Sequence, residues 1–194
     1  MSKIEIPEYS LGEELVSSIS HGIGALLGIA ALVLSVVFSK NSITIVSSAI
    51  YGITLIILYL ISCLYHSFSP RIKAKKVFRV LDHDSIYLLI FGTYMPYLLV
   101  SIGGTKGWTL WGILLGLSIL GIVFNSINLE KFKNVSLISY ILMGWIIIFS
   151  FNDVYNSIGF YGTLYLILGG VFYTIGALFY RLGKKIKYMH SIFH

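Results

Sequence analysis

Six long apolar runs, roughly 19–38, 43–65, 78–100, 108–127, 135–151 and 161–180, occupy most of a chain of 194 residues. A helix needs about 20 apolar residues to cross the hydrocarbon of a bilayer, and each run approaches or meets that length. Hydrocarbon offers no water to backbone N–H and C=O groups, so such segments must satisfy their own, as helices do. Only 11% of the residues are charged, 57% are hydrophobic and the mean hydropathy is +0.87, whereas soluble domains carry about 25% charge. The expected fold class is an all-α integral membrane protein, with 1–194 as one transmembrane helical domain. Connections this short leave room only for a compact bundle.

Local features refine the expectation. Pro96 lies inside the third run, where its ring would crowd the carbonyl at position 92; Gly92 stands there, so a kinked but continuous helix is predicted. Gly112 and Gly116 form a small-xxx-small pair in the fourth run, and Gly169, Gly170 and Gly176 lie in the sixth; close packing inside the bundle is expected rather than a dimer seam. Trp108, Tyr161 and Tyr180 stand near run ends as interface anchors. The single cysteine, Cys63, excludes an internal disulfide framework. The first run follows an acidic stretch with Glu5, Glu8, Glu13 and Glu14, unlike the basic start of a cleavable signal peptide.

A net charge of +6 could suggest nucleic acid, but the basic residues flank apolar runs, and membrane topology accounts for them. One side of the bundle receives Lys3, the cluster Arg71, Lys73, Lys75, Lys76 and Arg79, then Lys131 and Lys133, and finally Arg181, Lys184, Lys185 and Lys187. The other receives only Lys40 and Lys106. Twelve against two predicts a cytoplasmic N-terminus in a multi-pass protein of the cell membrane, with lipid as its surroundings.

Topology then groups the polar side chains. Ser62 and His66 close the second run, Asp82 opens the third, and His190 and His194 follow the sixth, all on the basic side; His21 and His83 join them in depth. Each motif has a plain alternative. A serine often bonds to its own helix, a histidine suits a helix C-terminus, and carboxylates near a helix start act as caps, which is the expectation for Asp84. Asp82, on a different face, is the candidate for pointing inward. His190 and His194 are one helical turn apart, the spacing at which two imidazoles can share a divalent metal. Three histidines, a carboxylate and a hydroxyl at one depth match the three ligands and open position of a catalytic zinc site. Imidazole also suits nickel, copper and iron.

Several stretches together resemble the hemolysin III family, the bacterial branch of the progestin and adiponectin receptor (PAQR) superfamily. They are Glu14 with His21-Gly22, Ser62-x-x-x-His66, Leu81-Asp82-His83-Asp84-Ser85-Ile86 leading to Gly92-Thr93-Tyr94-x-Pro96, and His190-x-x-x-His194. The resemblance implies a seven-helix bundle with a zinc near the cytoplasmic leaflet, held by residues matching His66, His190 and His194. Asp82 would hold the metal's water and Ser62 would support it. In the family the last histidine pair opens a seventh helix. This chain stops at His194, so truncation is expected, with the pair on an end that frays. Ser17 stands where relatives often carry asparagine.

Three functional readings follow. The leading one is zinc-dependent hydrolysis of a lipid amide or ester, with Asp82 as proton acceptor and Ser62 as hydrogen-bond partner of water or substrate. The second is a non-enzymatic receptor or regulator of the membrane in which zinc is structural. A pore-former is third, and no charged stripe along the spans supports it. Nucleic acid is not an expected partner.

Overall fold

The computed structural model describes residues 4–183 and 186–193, and all regular structure among them is helical. The elements are α1 (Leu11–Val37), α2 (Ser42–Ser67), α3 (Lys73–Met95), α4 (Gly104–Trp145), α5 (Phe151–Leu182) and the short α6 (Met189–Phe193). A π-helical stretch, Pro96–Ile102, extends α3, and a 3-10 turn, Ile146–Ser150, joins α4 to α5. Among the described residues four helical runs are long and apolar enough to cross a membrane: Leu11–Val37, Ser42–Ser67, Lys73–Ile102 and the bent run Gly104–Leu182. The six apolar runs lie within these four helical runs, the last three on the successive arms into which breaks at Asn128 and Gly159 divide the fourth.

Two backbone breaks bend the last run. Asn128 is extended (φ −160°, ψ 89°), and its side chain accepts from Lys131 N at 3.1 Å, starting the arm that follows. Across this break Ser136 Oγ donates to Asn125 Oδ1 at 2.6 Å, and Phe124 stacks on Phe132. Residues so far apart on a straight helix would not meet, so the two arms of α4 fold back on each other. Gly159 provides the second break with φ +68°, a conformation that favours glycine. Around it Trp145 Nε1 donates to Thr174 Oγ1 at 3.1 Å, again pairing antiparallel arms.

The first two helices turn mainly polar or small residues inward and apolar ones outward, the reverse of a soluble bundle. On α1 the buried stripe is Glu13, Ser17, His21, Ala25 and Gly28, while Leu26 and Leu27 are exposed. That stripe follows the i, i+4 period of one helical face. Capping boxes start α1, at Ser10 with Glu13, and α2, at Asn41 with Thr44. The core gathers around α3, where Tyr87, Ile90, Tyr94 and Met95 pack on Leu114, Tyr140 and Met143. Tyr94 Oη donates to Met143 O at 2.8 Å and accepts from Ile147 N at 3.1 Å, binding α3 to the α4–α5 junction.

Several expectations need correction. The third helix continues through Pro96 as predicted, but by widening to π geometry; Gly92 serves another purpose, since a Cβ there would lie 1.9 Å from Thr54 Oγ1 on α2. Gly170 does pack against Trp145, whereas a Cβ at Gly112, Gly116 or Gly169 would meet nothing within 4 Å, so these three are not bundle contacts. Trp108 and Tyr161 are exposed, but Tyr180 turns inward. Asp84 is not a cap: α3 begins at Lys73, so Asp84 sits well inside it, buried and accepting from Ser126 Oγ at 3.3 Å.

Tyr188 and Ser191 are held against α1, where a frayed end was expected for the stretch that carries His190. Tyr188 N donates to Glu13 Oε1 at 2.8 Å, Ser191 Oγ donates to Glu13 O at 3.2 Å, and Ser17 Oγ donates to Ser191 Oγ at 3.2 Å. A five-residue helix has no stability of its own, so α1 supplies the order. His194 lies outside the described residues, as do Lys3, Lys184 and Lys185.

Candidate functional site

At the end of the bundle that carries Lys75, Arg79 and Lys133, the helices enclose a cavity of about 740 Å³. Ser62 (α2), Asp82 and His83 (α3), His21 (α1) and His190 (α6) line it, with residues 5–9 forming part of the wall. Along each helix the lining changes with depth. Leu58 lies one turn deeper than Ser62, Ile86 and Leu89 lie deeper than Asp82, and Ala177 lies deeper than Tyr180. The space is therefore polar at the basic end and apolar toward the middle of the bundle. Its volume suits a drug-sized or lipid-sized ligand, for which pockets run about 300–1,000 Å³.

His66 is buried beside the cavity in the last turn of α2. Its Nδ1 is 2.6 Å from Glu14 Oε2, and Lys75 Nζ is 2.5 Å from the other carboxylate oxygen. A carboxylate paired with a lysine accepts hydrogen bonds, so Nδ1 of His66 carries a proton. The ring centroids of His66 and His190 are 5.6 Å apart, and those of His66 and His21 are 6.4 Å apart. His190 stacks on Tyr9 at 4.5 Å and 12°. Burial, ahead of the neighbouring imidazoles, pushes the His190 pKa down to about 3, and burial raises the Tyr9 phenol far above its usual value. Both rings are thus neutral at physiological pH.

Ser62 Oγ is fully buried and has no hydrogen-bond partner among the described residues. The serine therefore does not bond back to its own helix. The Asp82 carboxylate is mostly buried, and His83 Nδ1 is 3.9 Å from its Oδ2. His83 itself donates from Nδ1 to Arg79 O at 2.9 Å, so its Nε2 accepts from Tyr180 Oη at 3.3 Å. Arg79 is paired with Glu130, which also pairs with Lys133 at 2.9 Å. Lys75 and Arg79, counted as surface charge for topology, are in fact buried ion-pair members.

The donor chemistry fits zinc. With zinc–nitrogen bonds of 2.0–2.1 Å in tetrahedral geometry, two ligating imidazole centroids lie about 5 Å apart, close to the His66–His190 separation. Neutral His190 is in the state that ligation needs, and a carboxylate on Nδ1 is the usual outer partner of a ligating imidazole such as His66. Among the described residues no three His, Cys, Asp or Glu side chains form a group that could hold a metal. Sequence reasoning placed Ser62, Asp82 and His190 at one depth, and they do share one cavity. It missed the partnership of Glu14 and Lys75 with His66; the available signal was an acidic residue seven positions before His21, on that side of α1.

A multi-pass helical membrane protein with a buried imidazole, serine and carboxylate cluster at one end of an amphipathic cavity defines the class. Residues 9–194 match the family described as Haemolysin-III related, and the chain belongs to that family. It is 40% identical over 185 residues to Hemolysin-3 of Bacillus cereus, covering 94% of this chain and 84% of that protein. It is also 40% identical over 189 residues to the Hemolysin-3 homolog of Bacillus subtilis (strain 168), covering 96% and 88%. A more distant likeness, 26% over 160 residues, links it to the monocyte to macrophage differentiation factor of Homo sapiens, with 77% of this chain and 63% of that protein covered. No solved structure matches.

Proposed function

We propose that this protein is a zinc-dependent hydrolase acting on a lipid amide or ester, with its polar site in the cytoplasmic leaflet. The observation that carries the reading is the meeting of Ser62, Asp82 and His190 on one cavity that becomes apolar with depth. His66, His190 and His194 would hold the metal, which supplies the Lewis acidity that makes water nucleophilic near neutral pH. Asp82, mostly buried on the lining, would accept the proton of the attacking water and return it to the leaving group. Ser62, with its hydroxyl unspent within the protein, would donate to the substrate carbonyl oxygen. The apolar end, with Ile86, Leu89 and Ala177, would take the acyl chain, placing its carbonyl near the headgroup level.

Purified protein loaded with zinc and offered a panel of acylated lipid amides and esters tests this. Release of free fatty acid that disappears in Asp82→Asn, while zinc content is retained, is the expected result. Full zinc occupancy with no turnover on any member overturns the hydrolase and leaves a structural metal. Leakage of dye from vesicles, unchanged by chelation, would favour the membrane-lysing activity that the name of the Bacillus cereus relative suggests.

A further inference from the structure

Glu14, His66 and Lys75 come from three helices, yet they form one buried chain of contacts. The side chains of His66, Lys75 and Glu14 are 1%, 0% and 13% exposed. One carboxylate oxygen takes the imidazole Nδ1 proton at 2.6 Å and the other takes the lysine ammonium at 2.5 Å. Lys75 Nζ also lies 5.0 Å from the centre of the Tyr65 ring, an attractive cation–π arrangement. Two charges have been largely removed from water here, at a desolvation cost that the pair's own attraction does not reliably repay. A lysine–glutamate pair alone would join α1 to α3; nothing in that task calls for the histidine.

We propose that Glu14, pinned by Lys75, is a positioning residue for His66: it fixes the ring's tautomer and aim so that Nε2 is presented as a metal donor. The inference rests on the zinc reading above and adds to it a role for a pair of residues outside the ligand set. The physical logic is direct. A neutral imidazole has one donor and one acceptor nitrogen, and a free side chain exchanges them and rotates. An ionised carboxylate on Nδ1 removes that freedom and makes Nε2 more basic, and losing such a partner typically lowers metal affinity 10–100-fold. Lys75 holds the carboxylate in place, and α1, α2 and α3 must be docked for all three groups to meet.

The test measures affinity of the full chain in detergent for Zn²⁺ alone, by competition with a chromophoric chelator, and the visible spectrum after Co²⁺ loading. Glu14→Gln keeps an acceptor for Nδ1 but strands the Lys75 charge, so the double variant Glu14→Gln/Lys75→Met, which removes that charge, is measured beside it. The expected result is Zn²⁺ affinity lowered 10–100-fold in both, with a shifted Co²⁺ spectrum, while the double variant melts close to wild type. Glu14→Asp, which keeps the charge, should recover part of the affinity. Wild-type affinity and an unchanged Co²⁺ spectrum in the double variant would overturn the inference and leave the zinc reading standing. Failure of the wild-type chain to bind Zn²⁺ would overturn both.

Discussion

Gly92→Ala is a single methyl group whose consequence can be worked out from the packing of α2 on α3. A Cβ at position 92 would lie 1.9 Å from Thr54 Oγ1, 2.8 Å from its Cβ and 3.0 Å from its Cγ2. Rotating Thr54 cannot relieve a contact with its own Cβ, and it would also break the bond that Oγ1 donates to Tyr51 O at 2.9 Å. The helices must therefore move apart. Overpacking of this kind costs about 1–3 kcal/mol, which for a chain of this size corresponds to a fall in Tm of about 2–12 °C. Scanning fluorimetry of the purified protein in detergent reads it. Thr54→Gly removes the obstructing atoms, so Gly92→Ala should cost much less in a Thr54→Gly background, with a coupling energy of at least about 1 kcal/mol between the two sites. An unchanged Tm in Gly92→Ala, or strict additivity in the double variant, would refute the contact as the reason for glycine at this position.

Three other perturbations follow from the same packing. Glu13→Ala removes the reciprocal half of the capping box and the acceptor for Tyr188 N–H, so amide exchange across 186–193 should accelerate; unchanged protection there would show that α6 is held by other means. Asn128→Ala deletes the side-chain acceptor for Lys131 N at the break in α4, and a loss of about 0.5–2 kcal/mol by thermal melting is expected. Arg79→Met strands Glu130, which Lys133 still pairs. The loss should fall below the about 3–5 kcal/mol typical of a fully buried pair, and adding Glu130→Met should restore most of it.

Most of the fold was legible because hydrocarbon imposes length and polarity on whatever crosses it. The apolar runs marked the spans, and basic residues sorted their ends. What hydropathy could not place were the polar residues that the bundle itself buries. Lys73–Phe78 looked like a loop, yet α3 begins at Lys73, because Lys75 and Arg79 are neutralised by Glu14 and Glu130. That earlier start is why Asp84 proved to be an interior residue and not a cap. At the site, counting spans was enough to bring Ser62, His66, Asp82 and His190 to one end. The partner of His66 was not legible, because the contact joins positions 52 residues apart and depends on how α1 is rotated against α2. A charge on the inward stripe of a membrane helix carries no label saying which neighbour it meets.

The segments at either end of the chain show why a site of this kind cannot be deduced from its spans. Neither residues 4–10 nor α6 is long enough to hold a conformation unaided, yet they bring Tyr9 and His190 into contact and close the cavity. Glu13 organises both: its carboxylate accepts from Ser10 N at 2.9 Å, starting α1, and from Tyr188 N, starting α6. His190 is therefore delivered by an interaction whose other end caps the first helix. A metal that engaged His190 together with His66 would bind only the docked arrangement, so by linkage it would stabilise that docking in proportion to its own affinity. The reverse holds too: a change that loosens the grip of Glu13 on Tyr188 weakens metal binding to the extent that it depopulates the docked state. Measuring Zn²⁺ affinity and α6 protection together in Glu13→Ala tests that coupling, and a variant in which α6 is fully unprotected with no change in affinity would show that His190 is not part of the site.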